Sequence, residues 1–297
     1  MTSVAAVQAN GITIEYEITG TGEPLLLIMG LGEQMTTWPD EFVTMLVDAG
    51  FQVIRFDNRD TGLSSESDWN PPSTIRTVAR RILRRPPQAA YLLGDMAADA
   101  SGLLDSLDVA SAHVVGVSMG GMIAQTMAID HPHQVRSLTS IMSNTGDGRH
   151  GVIAPSLLAK LARLIHPVTR DAAVERSVQV NGIVSGPHFD RDERRAMVRR
   201  NVERSFRPDG VARQTAAIMA SPDRTGALAR VEVPTLVVHG LLDRLVTPSG
   251  GTATARAIPG SRLVNYPDMA HDLPRPRWEE LVREIRRNAD RSHVTST

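Results

Sequence analysis

His113-Val-Val-Gly116-Val-Ser118-Met119-Gly120 is the stretch that decides the fold. An apolar run of strand length ends in Gly-x-Ser-x-Gly, and a helix-length apolar segment, Met119 to Ile129, starts directly behind it. A serine on so sharp a turn needs small neighbours two positions to either side, because the backbone is pinched there, and the turn lifts the hydroxyl above the sheet edge. The helix that follows points its free N–H groups and positive dipole end at any oxyanion formed beside that hydroxyl. Ser118 is therefore the candidate nucleophile.

Outward from this point the chain alternates strands and helices. Pro24-Leu-Leu-Leu-Ile-Met29 and Phe51-Gln-Val-Ile-Arg-Phe56 are short and largely apolar, with a helical segment from Trp38 to Ala49 between them. That is the pattern of parallel strands covered on both faces. Ile12 to Ile18 alternates with a period of two and reads as a half-buried antiparallel strand. A helical segment from Tyr91 to Leu107 precedes the central stretch, and Leu138 to Met142 supplies another strand. Between Asp147 and Ala229 the strand signal vanishes and the text turns helical and arginine-rich. It resumes at Pro234-Thr-Leu-Val-Val-His-Gly240 and Arg262-Leu-Val-Asn-Tyr266, and Trp278, Leu281, Val282 and Ile285 close the chain at helical spacing. The expected architecture is α/β, a mostly parallel central sheet with helices on both faces. Residues 1–146 and 230–297 would form its core and residues 147–229 an inserted helical cap.

A serine hydroxyl is a weak nucleophile at neutral pH, so it needs a base, and the base needs an orienting carboxylate. Of nine histidines, His271 is placed best, in the Pro267-Asp-Met-Ala-His271-Asp272 loop between the last strand and the terminal helix. Asp243, just past the Pro234-Thr-Leu-Val-Val-His-Gly240 strand, is the matching carboxylate. Asp268 and Asp272 lie too near the histidine along the chain to reach its far ring nitrogen easily, which leaves Asp147 in reserve.

Serine, aspartate and histidine in this chain order resemble the α/β-hydrolase superfamily over essentially the full length. Asp57-Asn-Arg-Asp60-Thr-Gly-Leu-Ser64 is similar to that family's D-x-R-G-x-G-x-S turn, with Asp60 where the first glycine stands. Met29-Gly-Leu-Gly, Trp38-Pro-Asp-Glu-Phe and the Asp57 turn most resemble the branch containing the aclacinomycin methylesterases and actinobacterial lipase/esterase-like proteins. The resemblance implies an oxyanion hole made by the backbone N–H groups of Leu31 and Met119, with Met29 standing where many relatives have histidine. Met29, Met119 and Met269 adjoin three parts of this site in the sequence, and Gly30 lets its loop bend close to a substrate, so Met29, Gly30 and Met269 are expected to border an adaptable apolar pocket. Relatives that form alkyl-ester intermediates carry aspartate at the turn; Ser118 implies an acyl-enzyme instead.

Composition narrows the partners. Thirty-two basic residues against 33 acidic ones leave a formal charge of −1 over 297 residues, which does not mark a nucleic-acid or anionic-membrane binder. The absence of cysteine excludes disulfides, thiolate nucleophiles and thiolate metal sites. No dinucleotide, P-loop, zinc-protease or EF-hand spacing occurs, so no cofactor or metal is expected. No stretch approaches the roughly 18 apolar residues of a membrane span, and the amino terminus lacks signal-peptide character, so a cytoplasmic location is expected. A homo-oligomer stays open. Arg76, Arg80, Arg81, Arg84 and Arg85 form a basic run that reads as a solvated helix face or loop, or as a contact for anionic groups. The expected function is a serine carboxylic ester hydrolase for a small to medium, largely apolar ester. Thioesterase, carbon–carbon bond hydrolase, cofactor-free haloperoxidase and non-catalytic ligand receptor are the alternatives on the same scaffold.

Overall fold

The computed structural model describes residues 3–72, 76, 80, 88–164 and 169–294. Of the basic run, Arg81, Arg84 and Arg85 lie outside the described residues. Among the described residues eight strands form one sheet: β1 (Ser3–Ala9), β2 (Ile12–Thr19), β3 (Glu23–Ile28), β4 (Phe51–Phe56), β5 (Ala112–Val117), β6 (Val135–Ile141), β7 (Thr235–Gly240) and β8 (Arg262–Tyr266). Their spatial order is β1-β2-β4-β3-β5-β6-β7-β8. The β1–β2 and β2–β4 pairs are antiparallel and all others parallel.

Side-chain alternation explains the two covered faces. Leu26, Ile28, Ile54, Phe56 and Val114 pack on one face with Leu103, Leu104, Ile123 and Met127 from the Leu93–Ser106 and Met119–Asp130 helices. Leu25, Leu27, Val53, Val115 and Val238 pack on the other with Phe42, Leu46, Trp278 and Ile285 from the Asp40–Asp48 and Trp278–Val294 helices. Trp38 stacks on Phe42, whose ring meets Trp278 edge-on, both at 5.9 Å between centroids. Adjacent residues of one strand thus feed opposite core layers, which is why these strands read as unbroken apolar runs.

Two elements depart from the sequence reading. β1 is a strand of small residues joined to β2 through Asn10 and Gly11, both at positive φ (48° and 77°). Asn-Gly is a strong hairpin signal, but the Ala-rich segment before it has weak strand propensity of its own. The Ser249–Ala257 helix is likewise unmarked in the sequence, because its two glycines and two threonines are poor helix formers.

The order of strands fixes where a site can form. From β3 the chain moves outward to β4, then crosses back to β5 on the opposite side of β3. The loops leaving the carboxyl ends of β3 and β5 therefore diverge and open a crevice, the switch point at which such sheets bind ligands.

Between β6 and β7 the described residues contain only helices: Pro155–Ala162, Arg170–Val184, Arg191–Arg204, Pro208–Ala220 and Thr225–Leu228. Charged anchors fasten this insertion to the turn after β4. Arg204 Nη1 lies 2.7 Å from Asp57 Oδ2, whose carboxylate also accepts the N–H groups of Met35 and Leu63 at 2.8 and 2.9 Å. Arg213 Nη1 lies 3.0 Å from Asp60 Oδ1, and Tyr91 donates its hydroxyl to the other oxygen at 2.5 Å. Among the described residues no helix is long and apolar enough to cross a membrane.

Asp57 has a fully buried side chain, so loss of its cation leaves an uncompensated charge in the interior. Arg204→Met is expected to lower unfolding free energy by about 3–5 kcal/mol in urea titration. A loss below about 1 kcal/mol, the range of a surface pair, would show that the ion pair does not anchor the insertion.

Candidate active site

β5 ends at Val117 and the Met119–Asp130 helix begins two residues later, leaving Ser118 at the corner with φ 54° and ψ −118°. A left-handed φ costs a residue with a Cβ on the order of 1–2 kcal/mol. Surrounding bonds hold it there: Ser118 N–H donates to Ile141 O at 2.9 Å, and Gly121 and Met122 donate back to Ser118 O at 3.0 and 3.2 Å. The flanking glycines are needed for close approach. A Cβ on Gly116 would stand 2.1 Å from Gly120 O, and one on Gly120 would stand 2.1 Å from Ile28 O. From the β3 side the loop touches the serine itself, since a Cβ on Gly30 would lie 3.3 Å from Ser118 Cβ and 3.9 Å from its Oγ.

Asp243 follows β7, and its side chain is wholly buried. Its Oδ1 accepts the N–H groups of Leu245 and Val246, both at 2.9 Å, while Oδ2 lies 2.8 Å from His271 Nδ1. Burial pushes the carboxyl up, but the charge of His271 and hydrogen bonds from His239, His271 and the Val246 N–H outweigh it and hold the group down at about 2. A carboxylate that only accepts places the imidazole proton on Nδ1. The Nε2 lone pair then faces Ser118 Oγ at 2.9 Å. Aspartate, imidazole and hydroxyl form one unbroken chain ending at the switch-point crevice.

The loop carrying His271 is also held from the insertion. His271 N–H donates to Val184 O at 3.0 Å, and Gly186 N–H donates to Asp272 Oδ2 at 3.0 Å. Asp268 accepts from Arg277 Nε and meets His188 Nε2, each at 2.9 Å. Both flanking carboxylates are thus engaged away from the His271 ring. Asp147 is occupied elsewhere too, bonded to His150 Nδ1 at 2.5 Å and to the N–H groups of Arg149 and His150.

The remaining residues singled out in the sequence fall into two groups. Leu31 follows Gly30 beside the serine and Met119 opens the helix; among the described residues neither amide donates a backbone hydrogen bond. Met29 and Met269 are buried, with side chains in the same core cluster as Trp38 and Trp278. His239 is a residue that the sequence reading misses. It is fully buried with Nε2 2.8 Å from Val246 O and 3.5 Å from Asp243 Oδ2, so it braces the turn that presents the carboxylate. Its place four residues before Asp243, at the end of an apolar strand, is the signal available.

The alpha/beta hydrolase fold family model matches residues 23–274. The chain belongs to this family. Rhodomycin D methylesterase DnrP of Streptomyces peucetius is 33% identical over 287 residues, covering 88% of this chain and 89% of the relative. A 2-hydroxy-6-oxononadienedioate/2-hydroxy-6-oxononatrienedioate hydrolase of Burkholderia vietnamiensis is 28% identical over 278 residues, covering 92% and 88%. Among solved structures, the enol-lactonase of Burkholderia xenovorans superposes with a TM-score of 0.72 at 22% identity, covering 96% of this hydrolase-fold chain and all of the other.

Because folding lowers the Asp243 carboxyl, its ionised form contributes stability above the unfolded value, near 3.9, and this is lost as pH falls toward about 2. The stability difference between the native chain and Asp243→Asn should therefore narrow as pH falls below about 5, by roughly 2 kcal/mol in full. Urea titrations at successive pH values read it; a gap that widens on acidification would mean the carboxyl is raised, not lowered.

Proposed function

We propose that this chain is a serine carboxylic ester hydrolase that works through an acyl-enzyme on a small to medium, largely apolar ester. The observation that carries the reading is the continuous Asp243, His271 and Ser118 chain at the switch point, with distances of 2.8 and 2.9 Å. Similarity to a protein named as a methylesterase supports an ester as substrate.

In this reading Ser118 Oγ attacks the ester carbonyl while His271 Nε2 takes its proton. Asp243 holds the ring in the tautomer that makes Nε2 the acceptor and stabilises the imidazolium that results. Negative charge then gathers on the former carbonyl oxygen, where the N–H groups of Leu31 and Met119 would receive it, helped by the positive end of the Met119–Asp130 helix. Collapse expels the alkoxide, which takes the proton from His271. Water, deprotonated by the same nitrogen, cleaves the acyl-serine and releases the carboxylic acid.

We read residues 147–229 as a cap over this site, with residues 1–146 and 230–297 as the catalytic core. Support comes from the strand-free insertion and its anchors on the turn after β4. Gly30 and Leu31 would border the acyl group on the β3 side, with Met29 and Met269 as the deformable wall behind them.

A fluorophosphonate should label Ser118 stoichiometrically, and Ser118→Ala should lower hydrolysis of nitrophenyl esters by at least about 10³-fold with little change in Tm. Retention of more than about a tenth of the rate would overturn the nucleophile. The same preparation assayed with methyl esters, thioesters and peroxide-dependent bromination separates ester hydrolysis from the other chemistries of this fold. Turnover confined to bromination or thioesters would replace the ester reading.

A further inference from the structure

Gln214 sits on the Pro208–Ala220 helix of the insertion, and its side chain is completely buried. The helix presses one face on the core, with Gly210, Arg213, Gln214 and Ala217 all buried at helical spacing. A buried amide is costly unless it is bonded, and this one is bonded in three directions. Its Oε1 accepts Gly32 N–H at 2.8 Å, while Nε2 donates to Arg59 O and Thr61 Oγ1, both at 2.8 Å. The partners fix the orientation of the amide: Gly32 N–H can only donate and Arg59 O can only accept.

Those partners lie on two loops of the core, the turn after β3 and the turn after β4. Gly30 to Glu33 closes through Glu33 N–H donating to Gly30 O at 3.3 Å, with Gly32 at φ +70°. The carbonyl of the Gly30–Leu31 peptide is thus held from one side, and the next N–H in the chain is held by Gln214. Val211, one turn earlier on the same helix, packs over the turn as well, since a Cβ on Gly32 would stand 2.7 Å from its Cγ2. Between these restraints lies the Leu31 N–H, beside the loop residue that touches Ser118.

We infer that Gln214 is a positioning residue that holds the Gly30–Glu33 turn so that the Leu31 N–H points at the developing oxyanion. The inference rests on the serine hydrolase reading above. One planar amide supplies an acceptor for the β3 turn and two donors for the β4 turn, and neither an apolar nor an anionic side chain of that size can do both. The insertion then shapes the chemistry as well as the choice of substrate.

The test is Gln214→Met, which keeps the side-chain bulk and removes every bond, read beside Gln214→Glu, which keeps only the acceptor. Rates on a nitrophenyl ester are normalised to the active fraction by fluorophosphonate titration. Binding is measured for an alkyl boronic acid, whose tetrahedral adduct on the serine puts an oxygen where the oxyanion forms, and for the product carboxylic acid. Misplacing one donor should lower kcat and boronate affinity together by about 10-fold to 100-fold in Gln214→Met. KM and product affinity should stay within about threefold, a split that simple loss of structure does not produce. Gln214→Glu should fall between the two. If Gln214→Met does not fold, Thr61→Val, which frees one Nε2 donor, should show the same split at a few-fold level. Equal boronate affinity in the variants and the native chain, or parallel losses for boronate and product, overturns the positioning role while Ser118 stands. A native chain that neither boronate nor fluorophosphonate modifies sinks the serine reading and this inference together.

Discussion

The contact on which the rest of the molecule depends is the bare backbone approach between the Met119–Asp130 helix and the ends of β3 and β5. With Gly116 facing Gly120 O and Gly120 facing Ile28 O at distances no Cβ tolerates, the helix comes to rest against main chain. Three consequences follow from that one contact. Ser118 is forced onto a left-handed corner, the helix N-terminus arrives beside it, and the loop after β3 is brought against its Cβ. The candidate nucleophile, the helix dipole and the candidate donors are assembled by a steric condition before any other side chain of the site is considered.

Around this corner the insertion behaves as a structural partner of the core. It binds the turn after β4 through Arg204 and Arg213, the turn after β3 through Gln214, and the His271 loop through Val184 O and the Gly186 N–H. Each of these core loops leaves the carboxyl end of a different strand. A segment that bonds to all of them ties their positions together, and its removal would leave the His271 N–H without its acceptor, Val184 O.

Much of this is legible in the sequence because it is local. The apolar runs of β3, β4, β5 and β7 record burial on two faces, and Gly-x-Ser-x-Gly records a close approach that only glycine permits. Family order brings Asp243 and His271 forward, and the structure places them within hydrogen-bond reach of each other and, through His271, of Ser118. What stays hidden depends on distant pairing. β1 has little strand propensity and owes its shape to seven residues paired with β2 across the Asn10-Gly11 turn. His239 reads as one more strand residue until the Asp243 turn folds back over it. Gln214 carries no signal at all, since one polar residue within an arginine-rich stretch gives no hint that it will be buried with a partner, Gly32, 182 positions away in the chain.

Asp60 links the turn after β4 to that same helix. It stands where the family's turn has glycine, and its φ of 67° is the left-handed conformation that glycine adopts freely and aspartate more readily than most. The side chain gained at that position is buried and fully used, accepting from Tyr91 Oη, from Ser67 N–H at 2.7 Å and from Arg213. Burial and the Asp60 carboxylate drive the Tyr91 hydroxyl far up, so it remains a donor across the whole working range. A buried ion pair adds little net stability over an apolar contact of the same shape, but removing one partner leaves the other's charge buried without compensation. Glycine at 60 would leave Arg213 without this acceptor and the Pro208–Ala220 helix without an electrostatic stop. The departure from the family's pattern thus acts on the helix that carries Gln214, since Arg213, the residue before the amide, is the one that Asp60 holds.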